Sequence, residues 1–152
     1  MRLTMKTDYS LRVLMYLGLT GNRLITIQEI SECYNISKGH LMKIVRHLGQ
    51  LGYINSVRGN NGGIKLNIMP SAINISVVIR KTEPDLALVD CMQNKGHCRL
   101  ELGCRLSSIL DEALSGFLTV LDKYTLADLL DNPSGISSLL NLDYTPNNTQ
   151  PS

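Results

Sequence analysis

The chain has 152 residues, 43% of them hydrophobic and 18% charged, with no Trp and one Phe, which suits one ordinary globular domain with a short appendage and excludes a large multidomain enzyme. The net charge is only +2, yet nine basic and three acidic residues up to Met69 make that part +6, while six and ten beyond it leave −4; a basic half points to a polyanion as partner. No apolar run approaches the ~20 residues of a membrane span and no signal-peptide pattern is present, so the reading is a cytoplasmic protein with no membrane partner and reduced cysteines.

In chain order, Leu11, Leu14, Met15 and Gly18 follow the helical i, i+3, i+4, i+7 spacing and predict a first helix from about Asp8 to Thr20, with Thr7 as cap and Gly21-Asn22 as stop. Thr26-Ile-Gln-Glu29 has the form of a capping box, which opens a short second helix reaching about Cys33. Asn35 interrupts it, Ser37 caps a third helix, and Leu41, Ile44, Val45 and Leu48 give that helix an inward stripe ended by Gly52. Two short helices joined by a tight turn make a helix-turn-helix. Residues Tyr53–Val57 and Ile64–Ile68, joined by the glycine-rich Arg58–Gly63, read as a hairpin appended to it, a wing. The class expected is mainly α: a winged helix-turn-helix over 1–69.

The polar face of the third helix offers Ser37, Lys38, Gly39, His40, Lys43, Arg46 and His47, and the wing adds Arg58, Asn60, Asn61 and Lys65. The N-terminal end of a recognition helix reaches base edges, and Lys and Arg further along neutralise phosphates. Exposed Lys and Arg are ordinarily just solvated. Here a basic half, a helix-turn-helix and a Gly-rich wing coincide, and together they predict binding to double-stranded DNA.

Residues 70–103 read as a linker helix from Ser76 to Glu83, stopped by Pro84, followed by a loop in which Cys91, Cys98 and Cys104 stand at C-x6-C-x5-C spacing. Structural zinc sites more often use gaps of two to four residues and need a fourth His or Cys. Wider gaps suit an iron-sulfur cluster, with soft thiolate ligands and one position left for another group; zinc and redox thiols stay open as alternatives. Cys104 would begin a helix, where backbone amides and the dipole favour a thiolate. Cys33, isolated in the sequence, reads as a small core hydrophobe, and His97 as a minor ligand candidate. From Cys104 on, Leu106, Leu110, Ala113, Phe117, Val120 and Tyr124 alternate spacings of four and three, the mark of a heptad seam, so 104–130 is expected to be a long dimerisation helix region of a homodimer. Residues 131–152 read as a largely disordered tail, most evidently from Asn141, where Pro, Asn, Thr and Gln dominate. No nucleotide-binding glycine loop or Ser-His-Asp pattern suggests an enzyme.

Met1-Arg-Leu-Thr, Thr7-Asp-Tyr-Ser-Leu-Arg12, Ile36-Ser-Lys-Gly-His-Leu41, Gly52-Tyr-Ile, Arg58–Gly63 and the three-cysteine loop resemble the bacterial iron-sulfur winged-helix repressors of the IscR/NsrR-like family. Val78-Ile-Arg80, Glu83-Pro84, Leu88-Val-Asp-Cys91 and Tyr124–Leu129 are similar to its nitric-oxide-sensing branch, and the resemblance spans about residues 1–130. It implies a homodimeric repressor with one iron-sulfur cluster per subunit, a four-iron cluster in preference to a two-iron one, that leaves a roughly palindromic operator when nitric oxide nitrosylates it. Cys91, Cys98 and Cys104 match the cluster thiolates, and Asp8 of the partner subunit matches a carboxylate that completes the coordination. Family members that govern cluster assembly genes place a His where this chain has Ser107. That argues against the alternative of an iron or redox-status sensor; a zinc-stabilised DNA-binding protein is the other alternative.

Overall fold

The computed structural model describes residues 2–93 and 103–142. Helix α1 runs Met5–Thr20, α2 Ile27–Tyr34 and α3 Lys38–Gln50; strands β1, Ile54–Val57, and β2, Gly63–Leu66, form an antiparallel hairpin in which Ile54 faces Leu66 and Val57 faces Gly63. Then come α4, Ile75–Thr82, the single turn α5, Asp90–Gln93, α6, Arg105–Leu121, and α7, Pro133–Leu139, with 3-10 turns at Pro70–Ala72 and Ala127–Leu130. The architecture is mainly helical with a small two-stranded sheet, as expected of a winged helix-turn-helix.

Local signals in the sequence account for the reading elements. The Thr26 hydroxyl accepts from the Glu29 amide while the Glu29 carboxylate accepts from the Thr26 amide at 2.8 Å, a complete capping box. Asn35 takes the left-handed conformation (φ 52°) that closes α2, and Ser37 caps α3 by accepting from the His40 amide. Leu41, Ile44, Val45 and Leu48 are buried, as their spacing requires. The first helix differs: it begins at Met5, capped by Thr4 rather than Thr7, because the Thr4 hydroxyl accepts from the Thr7 amide and Thr7 is itself fully buried.

Two pairings draw distant segments into the head. Ile25 exchanges backbone hydrogen bonds with Ile64 at 2.9 and 2.8 Å, adding a short third rung beside the wing. A Cβ at position 63 would lie 2.8 Å from the Ile25 carbonyl oxygen, so glycine is what permits this approach. After α6 the chain returns: the Ile75 amide donates to the Tyr124 carbonyl at 3.0 Å and the Leu126 amide to the Ile73 carbonyl at 2.7 Å. Leu126, fully buried, joins Val13, Leu14, Leu17, Ile73 and Val78 in one core; burying such a side chain stabilises the fold by about 2 kcal/mol. The core of the reading head thus continues beyond residue 69, using residues from the segments read as linker and dimerisation region.

Two further expectations are corrected. Tyr124, expected on the seam, is not on α6, which ends at Leu121 with Asp122 as its cap; the Tyr124 carbonyl accepts from the Ile75 amide beside the Asn74–Thr125 pairing. Within the stretch 131–152, read as a largely disordered tail, Asn132 caps α7 through the Gly135 amide and Leu142 packs on the core, while residues 143–152 lie outside the described part. The polar composition hid a helix whose signals are only Asn-Pro at its start and two or three apolar residues.

Candidate DNA interface and cysteine segment

Because α3 buries its aliphatic stripe, its opposite face is presented outward, and Ser37, Lys38, Gly39, His40, Lys43 and Arg46 are all exposed. Arg58, Asn60 and Asn61 are exposed at the tip of the wing, where Gly59 has φ 117° and turns the chain. The ion pairs among the described residues are Arg12–Asp8, Arg23–Glu29 and Arg80–Asp122. None involves a basic group of α3 or the wing, so this face keeps its positive charge uncompensated.

The structure adds residues that sequence reasoning missed. The first turn of α1 lies beside the start of α3: Tyr9 and His40 have ring centroids 6.4 Å apart, and Met5, Lys6, Tyr9, His40, Lys43 and Ile44 enclose a groove of about 270 Å³. Exposed Lys6 thereby joins the basic face. No local pattern signals this, since it comes from packing of two helices separated in sequence. His47, in contrast, turns away from that face; its Nε2 lies 3.3 Å from the Lys81 carbonyl at the end of α4.

Of the expected thiolates, Cys91 lies in α5 and Cys104 is the N-cap of α6; both are free and partly exposed. Cys98 and the minor candidate His97 lie outside the described residues. Cys104 makes no side-chain capping bond, and its sulfur stands at the N-terminal end of a 17-residue helix. Among the described residues no three His, Cys, Asp or Glu side chains gather into a metal site. Cys33 packs against the core and lies 3.8 Å from the Leu140 carbonyl, and burial pushes its thiol pKa up. It is protonated and tied to the head, in keeping with its reading as a core residue.

Asp8 lies in the first turn of α1 but does not cap it. Both of its oxygens accept from the Arg12 Nε at 3.1 Å. The Arg12 guanidinium also lies 5.8 Å from the centre of the Tyr34 ring, whose hydroxyl pKa is pushed up to about 12, chiefly by burial and then by neighbouring Cys33. Tyr34 is therefore neutral, and Arg12 is seated on an aromatic face while it holds the carboxylate.

The apolar residues of α6 are mostly uncovered. Leu106, Ile109 and Val120 are each more than half exposed, and Leu118 alone is buried. Arg80–Asp122 at 3.6 Å and the Asn74 side chain, whose Nδ2 donates to the Asp122 carbonyl at 2.8 Å, fix the C-terminal end of α6 to α4. No helix among the described residues is long and apolar enough to cross a membrane.

Comparison with known proteins agrees with this arrangement. Residues 3–132 match the Rrf2 family, described as iron-dependent transcriptional regulators. The HTH-type transcriptional regulator NsrR of Bacillus licheniformis is 50% identical over 142 residues, covering 92% of this chain and 99% of that protein; its Bacillus subtilis (strain 168) counterpart is 49% identical over 144 residues, covering 93% and 99%. Among solved structures, oxidized Staphylococcus aureus CymR superposes with a TM-score of 0.69 at 25% identity over 86% of this chain and 97% of that one. T. potens IscR shares the fold, with a TM-score of 0.70 at 24% identity over 87% and 88%. With a winged helix-turn-helix whose exposed basic face takes no part in the ion pairs among the described residues, and a match over nearly its whole described length, the chain belongs to the Rrf2 family of DNA-binding transcriptional regulators.

Proposed function

We propose that the chain is a homodimeric repressor that senses nitric oxide through an iron-sulfur cluster held by Cys91, Cys98 and Cys104 and completed by Asp8 of the partner subunit. The observation that carries this reading is the placing of Cys104: a free thiol at the N-terminus of α6, with no capping bond of its own. Together with Cys91 it offers the soft donors that cluster iron takes. When bound, the cluster would supply iron open to reaction with nitric oxide. The resemblance to the nitric-oxide-sensing branch, and the name NsrR carried by relatives at 50 and 49% identity, favour this signal over iron status, as does Ser107 in place of a His.

The chain's own residues supply the rest. Cys104 presents its sulfur at the start of α6, free of any capping bond. Arg12 holds the Asp8 carboxylate on the surface of α1, where this hard donor is accessible to a partner. Ser37, Lys38, Gly39 and His40 stand at the N-terminus of α3 to meet base edges, while Lys43, Arg46 and Lys6 face phosphates and Arg58, Asn60 and Asn61 reach along a neighbouring groove. Two such heads occupy both halves of an operator when their recognition helices are held about 34 Å apart, and a coupling of about 1–3 kcal/mol would change affinity about 5- to 150-fold.

The test is anaerobic. DNA sites are selected from random sequence by the iron-loaded protein, which is then titrated with nitric oxide while binding is followed. A brown protein that releases DNA as nitric oxide is added supports the reading. A colourless zinc protein, or a brown one whose affinity is indifferent to nitric oxide, rejects it.

A further inference from the structure

The cysteine segment leaves the reading head through one corner. Helix α4 ends at Thr82, and Glu83 turns out of it into extended backbone. A single oxygen of its carboxylate, Oε1, accepts from the Thr4 amide at 2.7 Å and from the Thr4 hydroxyl at 3.1 Å. Thr4 is the cap of α1, one turn before Asp8, and the turn that it caps carries Lys6 and Tyr9, which line the groove shared with α3. Two residues earlier in the corner, the Lys81 carbonyl meets the His47 ring of α3 at 3.3 Å, and the Lys81 ammonium lies 5.4 Å from the centre of the Tyr53 ring at the base of the wing. Between them Thr82 is fully buried, its hydroxyl returned to the Val78 carbonyl at 2.9 Å, so it cannot slide independently of α4. Lys81 and Glu83, on either side of Thr82, therefore touch α3 and the wing, and α1, respectively, and eight residues after Glu83 the chain reaches Cys91.

We propose that Glu83 is a positioning residue of the regulator: its carboxylate fastens the cap of α1 to the root of the cysteine segment, so that a displacement of that root is passed to the first turn of α1 and to the DNA-reading face. The carboxylate suits this task because it faces the positive end of a 16-residue helix and takes two donors from one residue. His47 on the Lys81 carbonyl gives the same corner a second hold, on the last turn of the recognition helix. The proposal rests on the reading that the cysteine segment receives the signal.

Glu83→Ala removes both acceptors, whereas Glu83→Gln keeps an Oε1 that accepts from both Thr4 donors. The measured quantity is the ratio of DNA affinities of the iron-loaded and iron-free full chain. Glu83→Ala is expected to take up iron with the wild-type visible spectrum, yet its ratio should fall toward one by about fivefold or more, and Glu83→Gln should restore it. In the iron-free protein, the amides of residues 5–8 should exchange hydrogen faster in Glu83→Ala and at the wild-type rate in Glu83→Gln. A purely structural role would weaken both forms equally and leave the ratio unchanged, which would overturn the proposal, as would unaltered exchange. Loss of iron in both variants would make Glu83 a ligand and overturn it too. A wild type whose affinity is the same with and without iron would instead reject the sensing reading, and the relay with it.

Discussion

Asp8 and Arg12 stand one helical turn apart with about half of each side chain in solvent, where such a pair contributes only about 0.3–0.5 kcal/mol. So weak a hold leaves the carboxylate free to exchange Arg12 for a better partner. If that partner is iron, Asp8→Ala should retain a cluster on three thiolates but change its visible spectrum and its rate with nitric oxide, and Asp8→Cys should retain one that reacts more slowly; spectra and kinetics equal to the wild type in both would remove Asp8 from the ligand set. Cys91→Ala and Cys104→Ala should each abolish cluster absorbance, while Cys33→Ala, whose thiol is kept protonated by burial, should not. At the reading face, Arg46→Ala or Arg58→Ala should weaken DNA binding with the cluster intact. Loss of a phosphate contact reduces the slope of log affinity against log salt by about one unit, and a variant with unchanged affinity and slope would take that residue out of the interface.

The capping box of α2 makes a prediction at the scale of an element. Burial alone would raise the pKa of Glu29, but bonds from the Thr26 amide and the Arg23 guanidinium outweigh it and hold the carboxylate below its ordinary value of 4.5. A lowered folded-state value means stabilisation that is complete above about pH 4.5 and lost as pH falls through the lower folded value. Glu29→Ala should therefore cost roughly 0.5–1 kcal/mol at pH 7, the low end for caps because the side chain is one-third exposed, and thermal melts of variant and wild type should converge on acidification. A gap independent of pH would show that the charge is not what stabilises the box. This box, like the Ser37 cap and the stripe of α3, was legible because all its partners lie within four residues. The start of α1 was misplaced because Thr4 and Thr7 are equally good caps in sequence, and only burial of Thr7 decides between them. The pairings Ile25 with Ile64 and Asn74 with Thr125 were invisible, since each joins isolated residues that form no period. In the candidate site the same rule holds: the exposed faces of α3 and the wing follow from local pattern, whereas Lys6 and Tyr9 beside His40, His47 on Lys81 and Glu83 on Thr4 depend on packing over long sequence separations.

For the molecule as a whole, α6 is the element that leaves apolar side chains uncovered in the single chain. Leu106 and Val120 are 58% and 53% exposed in the single chain, and a second copy related by a two-fold axis would bury both in a self-complementary seam. Val120→Asp alters nothing in the core, so it should leave helical content unchanged while sedimentation reports a monomer and affinity for a two-half-site operator falls by about a hundredfold or more; a variant that remains dimeric would place the interface elsewhere. The return of the chain after α6 has its own consequence, for synthesis. Leu126 completes a core that begins at Val13 and is tied by its amide to Ile73. During translation, therefore, the helix-turn-helix and wing emerge from the ribosome long before their core is closed, and every residue of the cysteine segment must be made before Leu126 arrives. Domains generally fold as units in the order in which they are synthesised. Here that order leaves the core open until late: a chain broken off within the cysteine segment lacks Leu126 and its bond to Ile73, so it should be less stable than the full chain and bind DNA more weakly.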